Sequence, residues 1–124
     1  MSVAPALEGP FRLPASPEAS DLVAKYFRGL GDPLRVRILE LLRSEGELSV
    51  GELARLLGEP QPKVSNHLAC LRWCGFVETQ RRHRSVLNRI ADQRVLTMLD
   101  LASELLAENA EHVACCERID ARAG

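Results

Sequence analysis

The chain has 124 residues, of which 46% are apolar. This suits one globular domain with a modest core and excludes a disordered chain. No apolar run reaches the roughly 18 residues of a membrane span, and the N-terminus lacks a signal-peptide pattern. We therefore expect a cytoplasmic protein without membrane contact. The net charge of −1 excludes nothing by itself.

Arginine is nevertheless concentrated in one segment. Between residues 72 and 94 there are six arginines and two acids, whereas four acids and no base lie between residues 100 and 111. A basic segment of this kind indicates a face that meets phosphate, although charge alone favours a solvated surface as the alternative.

The N-terminal part predicts an arm and two helices. Residues 1–15 contain three prolines and show no periodicity, which predicts a flexible arm. A first helix begins at Ser16 and ends at Gly29. Asp32, followed by proline, caps a second helix. The apolar residues that we expect to be buried in this second helix are Leu34, Ile38, Leu41 and Leu42.

Two further helices follow in close succession. Ser49 and Glu52 have the spacing of a capping box, which predicts the start of a short third helix. After a turn, a fourth helix runs over Gln61–Trp73 and is ended by Gly75. The leucines of the third helix that we expect to face inward are Leu53, Leu56 and Leu57.

The C-terminal part predicts a hairpin and a long helix. Residues 76–80 and 85–90 resemble two short strands, connected by residues 81–84. Asp92 caps a last helix that continues to near Cys115 and is apolar on more than one face. A small domain cannot cover such a helix, so we expect a homodimer, with the helix around Val23–Phe27 also at its interface.

The third and fourth helices with the basic hairpin describe a winged helix-turn-helix, mainly α with a small β-hairpin, over residues 16–112. Residues 113–124 would form a tail. This motif places the fourth helix in the major groove of DNA, where glutamine and asparagine can pair with adenine while basic side chains meet phosphate. Spacing alone leaves an ordinary helical domain as an equal alternative. The candidate DNA contacts are Gln61, Lys63, Ser65, Asn66, His67, Arg72, Arg81, Arg82 and Arg84.

Two segments resemble a known family. The stretch from Gly31 to Leu39 is similar to the opening of the ArsR/SmtB family of metal-responsive repressors, and the stretch from Gln61 to Leu68 resembles its recognition helix. The resemblance implies a homodimeric winged-helix repressor that leaves operator DNA when metal binds. The hairpin departs from the family pattern, because His83 and Arg84 stand where the family often has glycine at the tip.

Four cysteines are the candidate metal ligands: Cys70, Cys74, Cys115 and Cys116. Cys70 and Cys74 are four residues apart, which on a helix brings their Cβ atoms to about 5–6 Å. Two such thiolates can share a soft ion such as Cd(II), Pb(II), Hg(II) or As(III). Zinc would prefer four ligands, of which His112 could be one. Buried structural cysteines are the alternative for the helix pair, and an incidental exposed pair is the alternative for Cys115 and Cys116.

The decamer from Asn66 to Gly75 resembles the signature of a cadmium- and lead-sensing branch of the family. The resemblance implies that Cys70 and Cys74 bind the ion together with a tail cysteine of the other protomer. Cys115 and Cys116 both remain candidates for that third ligand.

These features favour a repressor that a soft ion, Cd(II) or Pb(II), releases from operator DNA. The alternatives are a repressor responsive to Hg(II) or As(III), or one that senses thiol oxidation. An enzyme is disfavoured, because no oxyanion element or phosphate loop accompanies the cysteines and histidines. A winged helix that serves only protein contacts would show no salt-dependent DNA binding.

Overall fold

The computed structural model describes residues 18–116, which divide into two compact units, the first ending at Ile90 and the second beginning at Ala91. The predicted arm and the last eight residues lie outside this range. The first unit contains four helices and a hairpin: α1 (Glu18–Gly29), α2 (Pro33–Glu45), α3 (Val50–Leu57), α4 (Gln61–Trp73), β1 (Val77–Arg82) and β2 (Ser85–Ile90). The second unit contains α5 (Gln93–Ala107) and α6 (Ala110–Ala114). Within the described range, no helix is long and apolar enough to cross a membrane.

Local capping explains where the helices of the first unit begin. The Asp32 carboxylate accepts a hydrogen bond of 2.8 Å from the Leu34 amide. Ser49 and Glu52 form the predicted capping box, with reciprocal bonds of 2.8 and 3.1 Å. Hydrogen bonds from the backbone and the side chain of Ser49 to the Glu52 carboxyl lower the pKa of that carboxyl. These caps confirm the predicted starts of α2 and α3.

The end of α4 is a Schellman motif. The Phe76 amide donates to the Leu71 carbonyl at 2.9 Å, and the Gly75 amide donates to the Arg72 carbonyl at 3.1 Å. Gly75 has φ 85°, a left-handed conformation that glycine adopts without steric cost. The motif fixes Cys74 at the C-cap of α4 and turns Phe76, which is fully buried, into the core.

The core of the first unit comes from every helix after α1 and from the start of the hairpin. Its largest fully buried side chains are Phe76, Ile38, Leu39, Leu42, Leu53, Leu71, Val64 and Val77. Two predictions about burial were wrong. Leu56 is 44% exposed, because a helix of eight residues buries only a narrow stripe, and Leu41 is half-buried while Leu39 takes the core position.

The hairpin is longer than predicted. Strand β1 continues through Arg81 and Arg82, and the antiparallel register runs from Val77 opposite Ile90 to Arg82 opposite Ser85. The connection is therefore the two residues His83 and Arg84, not residues 81–84. The outer part of the hairpin is exposed on both faces, so no apolar alternation marked it as strand. His83 takes a left-handed φ of 59° at the tip, where the family often has glycine.

The second unit begins as predicted, since the Asp92 carboxylate accepts a hydrogen bond of 2.8 Å from the Arg94 amide. Hydrogen bonds from Arg94 lower the pKa of Asp92 to about 2. The expected single helix is instead two, because the Asn109 side chain donates to the Leu105 carbonyl at 3.1 Å and competes with continued helix. The helix-turn-helix and basic hairpin confirm the predicted winged helix, mainly α with a small β-hairpin.

Candidate metal centre and nucleic-acid interface

Helix α4 divides its side chains by face. Val64, Leu68 and Leu71 are buried, as predicted, because residues at i, i+4 and i+7 lie on one side of a helix. Four predicted DNA contacts in its N-terminal half are exposed. We call them the reading residues: Gln61, Lys63, Ser65 and Asn66. Lys63 also pairs with Glu59 at 3.1 Å. The predicted contact Arg72 is exposed in the last turn.

The hairpin arginines differ in their environment. Arg82 pairs with Glu47 at 3.2 Å, and Arg89 pairs with Glu47 at 3.6 Å and with Glu78 at 2.6 Å. Within residues 18–116, no acid forms an ion pair with the exposed Arg81 and Arg84. Arg81 and Arg84 can therefore meet phosphate directly, whereas Arg82 must exchange an internal partner for it.

His67, another predicted DNA contact, is half-buried and has an internal partner. Its Nδ1 accepts a hydrogen bond of 2.9 Å from Nε of Arg35 on α2. Arginine is always protonated, so Nδ1 must be the bare nitrogen and Nε2 carries the proton. Only Nε2 is left for DNA. Sequence reasoning missed Arg35, whose only signal was its place in the segment that resembles the family.

Arg35 also reaches α1. Its Nη1 donates to the carbonyl of Gly29, the last residue of α1, at 3.3 Å. One guanidinium therefore joins the end of α1, the start of α2 and the N-terminal half of α4.

The two helix cysteines lie together, as the spacing predicted. Both are half-buried, Cys70 within α4 and Cys74 at its C-cap. Burial raises the pKa of the Cys74 thiol, and the charge and hydrogen bond of Cys70 raise it further, against the opposing charges of Arg35 and Lys25. A metal ion that binds here must displace thiol protons.

Buried Gly29 leaves space beside this pair. A Cβ atom at Gly29 would stand 3.4 Å from the Cys74 sulfur, so the hydrogen of glycine keeps that side of the thiol open. The pair fits part of a soft-ion site, since soft ions prefer thiolates. Within residues 18–116, however, no three cysteine, histidine or acidic side chains form a group that could hold a metal ion.

The predicted tail ligands follow α6 in the second unit. Cys115 is exposed and Cys116 is half-buried, and their amides donate to the carbonyls of Glu111 and Val113 at 3.1 and 3.2 Å. His112 is exposed within α6.

Each unit has an exposed apolar surface. In the first unit, an open cavity of about 740 Å³ is lined by α1 and the end of α4, where Phe27 is 56% and Trp73 is 92% exposed. In the second unit, Leu105 is 70% and Leu101 is 53% exposed. Exposed apolar side chains in such groups are typical of surfaces that another chain covers.

Comparison with known proteins identifies the family. Residues 32–79 match the model of the bacterial regulatory proteins of the arsR family. Over 99 residues the chain is 38% identical to a probable mercury resistance operon repressor from Streptomyces lividans, covering 80% of this chain and 78% of that protein. The chain belongs to the ArsR family.

Solved structures of transcriptional regulators share its fold. One is the homodimeric winged helix-turn-helix DNA-binding domain of a possible ArsR-family regulator from Mycobacterium bovis, with a TM-score of 0.69 and 30% identity over 80% of this chain and 93% of that one. Another is the AntR antimony-specific transcriptional repressor, with a TM-score of 0.62 and 32% identity over 90% of this chain and 98% of that one. This ArsR-family chain is therefore a winged-helix transcriptional regulator, and α4 is the second helix of its helix-turn-helix.

Proposed function

We propose that this protein is a repressor that binds operator DNA as a homodimer and releases it on binding a soft metal ion, Cd(II) or Pb(II). The observation that carries the proposal is the half-buried thiol pair Cys70 and Cys74 on the recognition helix itself. A ligand at that pair acts on the same rigid element that presents the reading residues. The names of the relatives, which refer to mercury and antimony, support a thiophilic ion.

The dimer has support from both units. Helices α1 and α5 expose apolar residues, which a second protomer would bury. A related domain of the same fold is homodimeric. A dimer would place two recognition helices for two half-sites about 34–36 Å apart, one turn of DNA. The same dimer brings the tail of one protomer to its partner, and we propose that Cys115 or Cys116 completes the site in this way.

Metal and DNA then influence each other through one equilibrium. The ion must bind the DNA-free form more tightly, and DNA must weaken ion binding by the same factor. The apo protein binds DNA through the reading residues, the exposed Arg72 and the hairpin residues Arg81, Arg82 and Arg84, with phosphate contacts supplying most of the affinity.

The test is an anaerobic titration of the reduced protein with Cd(II), Pb(II), Hg(II), As(III) and Zn(II). Binding is followed by the ultraviolet absorption of thiolate–metal bonds, and release by the fluorescence anisotropy of labelled operator. Cys70→Ser and Cys74→Ser should keep DNA binding, because serine is close to cysteine in size, and should lose release, because a hydroxyl is a poor ligand for a soft ion.

Tail variants locate the third ligand. Cys115→Ser and Cys116→Ser should each lose part of the response, and the double variant should lose all of it. Mixed dimers of a Cys70→Ser chain and a double tail variant should recover one complete site if the site spans two protomers. A Cys70→Ser protein that releases DNA at the wild-type metal concentration would place the sensor elsewhere.

A second candidate ion is Hg(II), favoured by the name of the Streptomyces relative. Stronger release by Hg(II) than by Cd(II) at equal bound ion would identify it. Release by oxidant without any metal would instead indicate a thiol redox sensor.

A further inference from the structure

We infer that Arg35 is a positioning residue that couples the thiol pair to the DNA-reading end of α4. The inference rests on the proposed function and deepens it, since it names the side chain through which ion binding reaches the reading residues. Its basis is the bridge that one guanidinium makes between Gly29 on α1 and His67 on α4.

The first step is the position of His67. His67, Cys70 and Cys74 stand at i, i+3 and i+7 on α4, which places all three on one side of the helix. We call these three residues the thiol stripe. Its N-terminal member follows Asn66 directly in the chain, so a movement of the stripe at His67 also moves a reading residue.

The second step is that Arg35 contacts both ends of this arrangement. At one end its Nε–H is bonded to His67 at 2.9 Å. At the other end its Nη1 donates a hydrogen bond of 3.3 Å to the carbonyl of Gly29. A Cβ atom added to Gly29 would lie 3.4 Å from the Cys74 sulfur, so Gly29 is a close neighbour of that thiol. A displacement of Cys74 toward Gly29 would therefore move the carbonyl that binds Arg35 and change the hydrogen bond from Arg35 to His67.

The third step is energetic. A hydrogen bond in which the donor is a guanidinium is stronger and more directional than one between neutral groups, and arginine offers donors in a fixed fork. Lysine at position 35 keeps the charge but loses the Nε–H donor and cannot maintain both bonds. Asparagine at position 67 keeps an acceptor oxygen near the place of Nδ1, whereas phenylalanine keeps the ring shape and has no acceptor.

The experiment compares full-length wild type with the variants R35K, R35Q, H67F and H67N, and with R37Q as a matched control on an exposed arginine of the same helix. Operator affinity is measured without ion and with saturating Cd(II). Binding of Cd(II) to the DNA-free protein is measured by thiolate absorption, and the fold is checked by circular dichroism and thermal unfolding.

We expect R35K, R35Q and H67F to lower the operator affinity of the ion-free protein about tenfold, or about 1.4 kcal/mol. The same variants should lower the operator affinity of the Cd(II)-loaded protein much less. The factor by which Cd(II) weakens DNA binding should thus shrink about tenfold. R37Q should keep the wild-type factor. H67N should retain more of it than H67F, because asparagine keeps an acceptor for Arg35 whereas both variants remove any contact of Nε2 with DNA. The affinity of DNA-free R35K and H67F for Cd(II) should stay within twofold of the wild-type value, because both keep the positive charge near Cys74. The operator affinity of the double variant R35K/H67F should be no lower than that of either single variant.

The inference is overturned if folded R35K and H67F release operator by the wild-type factor while wild type itself responds. If wild type binds Cd(II) through its thiols without any change in DNA affinity, the proposed function fails and the inference with it. A loss that H67N shares equally with H67F also overturns it, because the acceptor at Nδ1 would then be irrelevant.

Discussion

Glu47 should restrain DNA binding, and its neutralisation should strengthen it. The Glu47 carboxylate lies 3.2 Å from the Arg82 guanidinium and 3.6 Å from that of Arg89. Its side chain is 24% exposed, whereas the Arg82 side chain is 52% exposed and can turn outward. Arg82 can neutralise a phosphate fully only after it leaves Glu47. Glu47→Gln removes this competition and also removes a negative charge beside the hairpin.

The size of the effect follows from the exposure of the pair. Exposed ion pairs contribute about 0.2–1 kcal/mol, so the variant should bind DNA about 1.4- to 5-fold more tightly. One more fully neutralised phosphate should steepen the dependence of log K on log salt by about 0.9. Folding stability should fall by about 0.2–1 kcal/mol for each ion pair, because Glu47 pairs with both Arg82 and Arg89.

The assay is fluorescence anisotropy with operator and with an unrelated duplex over a series of salt concentrations. Glu45→Gln is the matched control, since it changes the net charge equally at an exposed position two residues away. Both duplexes should gain affinity in Glu47→Gln, because phosphate contacts carry no sequence information. Equal affinities of the two variants, or weaker binding by Glu47→Gln, would refute the competition between Glu47 and phosphate.

Other variants separate readout, assembly and stability. Asn66→Ala should lose preference for operator over unrelated DNA by about 1–3 kcal/mol, whereas Arg84→Gln should weaken both duplexes alike. Phe27→Asp or Leu105→Asp should yield monomers in sedimentation at micromolar concentration, and an unchanged dimer would contradict the interface. Asn88 is 3% exposed and its side chain donates to the Leu48 carbonyl at 3.0 Å. Asn88→Ala should therefore lower the free energy of unfolding, measured in urea, by about 1–3 kcal/mol.

The elements with local signals could be predicted from sequence. Asp32 and the Ser49–Glu52 box fixed two helix starts, and Gly75 fixed the end of α4, because capping depends on residues within one turn. The outer hairpin and the break at Asn109 were missed for a different reason. There the outcome depends on cross-strand pairing and on one side-chain hydrogen bond that competes with the helix, and neither leaves a periodic pattern.

In the candidate site, too, the local features could be predicted from sequence and the long-range contacts could not. Cys70 and Cys74 are neighbours by helix geometry alone, so their proximity could be predicted. The bond between Arg35 and His67 spans 32 residues and exists only because α2 packs on α4. A third ligand from another protomer depends on a dimer, and no spacing within one chain determines it.

In the proposed mechanism, the placement of the thiol pair and the reading residues on one helix would make a small movement of α4 sufficient for release. With side chains, an α-helix has a radius of about 5–6 Å, so a rotation of α4 by about 20° moves its outer atoms by about 2 Å. Hydrogen bonds to base edges need about 2.7–3.2 Å between heavy atoms and are lost by about 3.6 Å. The buried side of α4 would resist such a rotation until a bound ion pulled the thiol stripe, because packed interiors tolerate few intermediate arrangements. On this proposal the ion would need to supply only the difference in packing energy between two positions of α4, and the Arg35 bridge would determine which position the ion-free protein occupies.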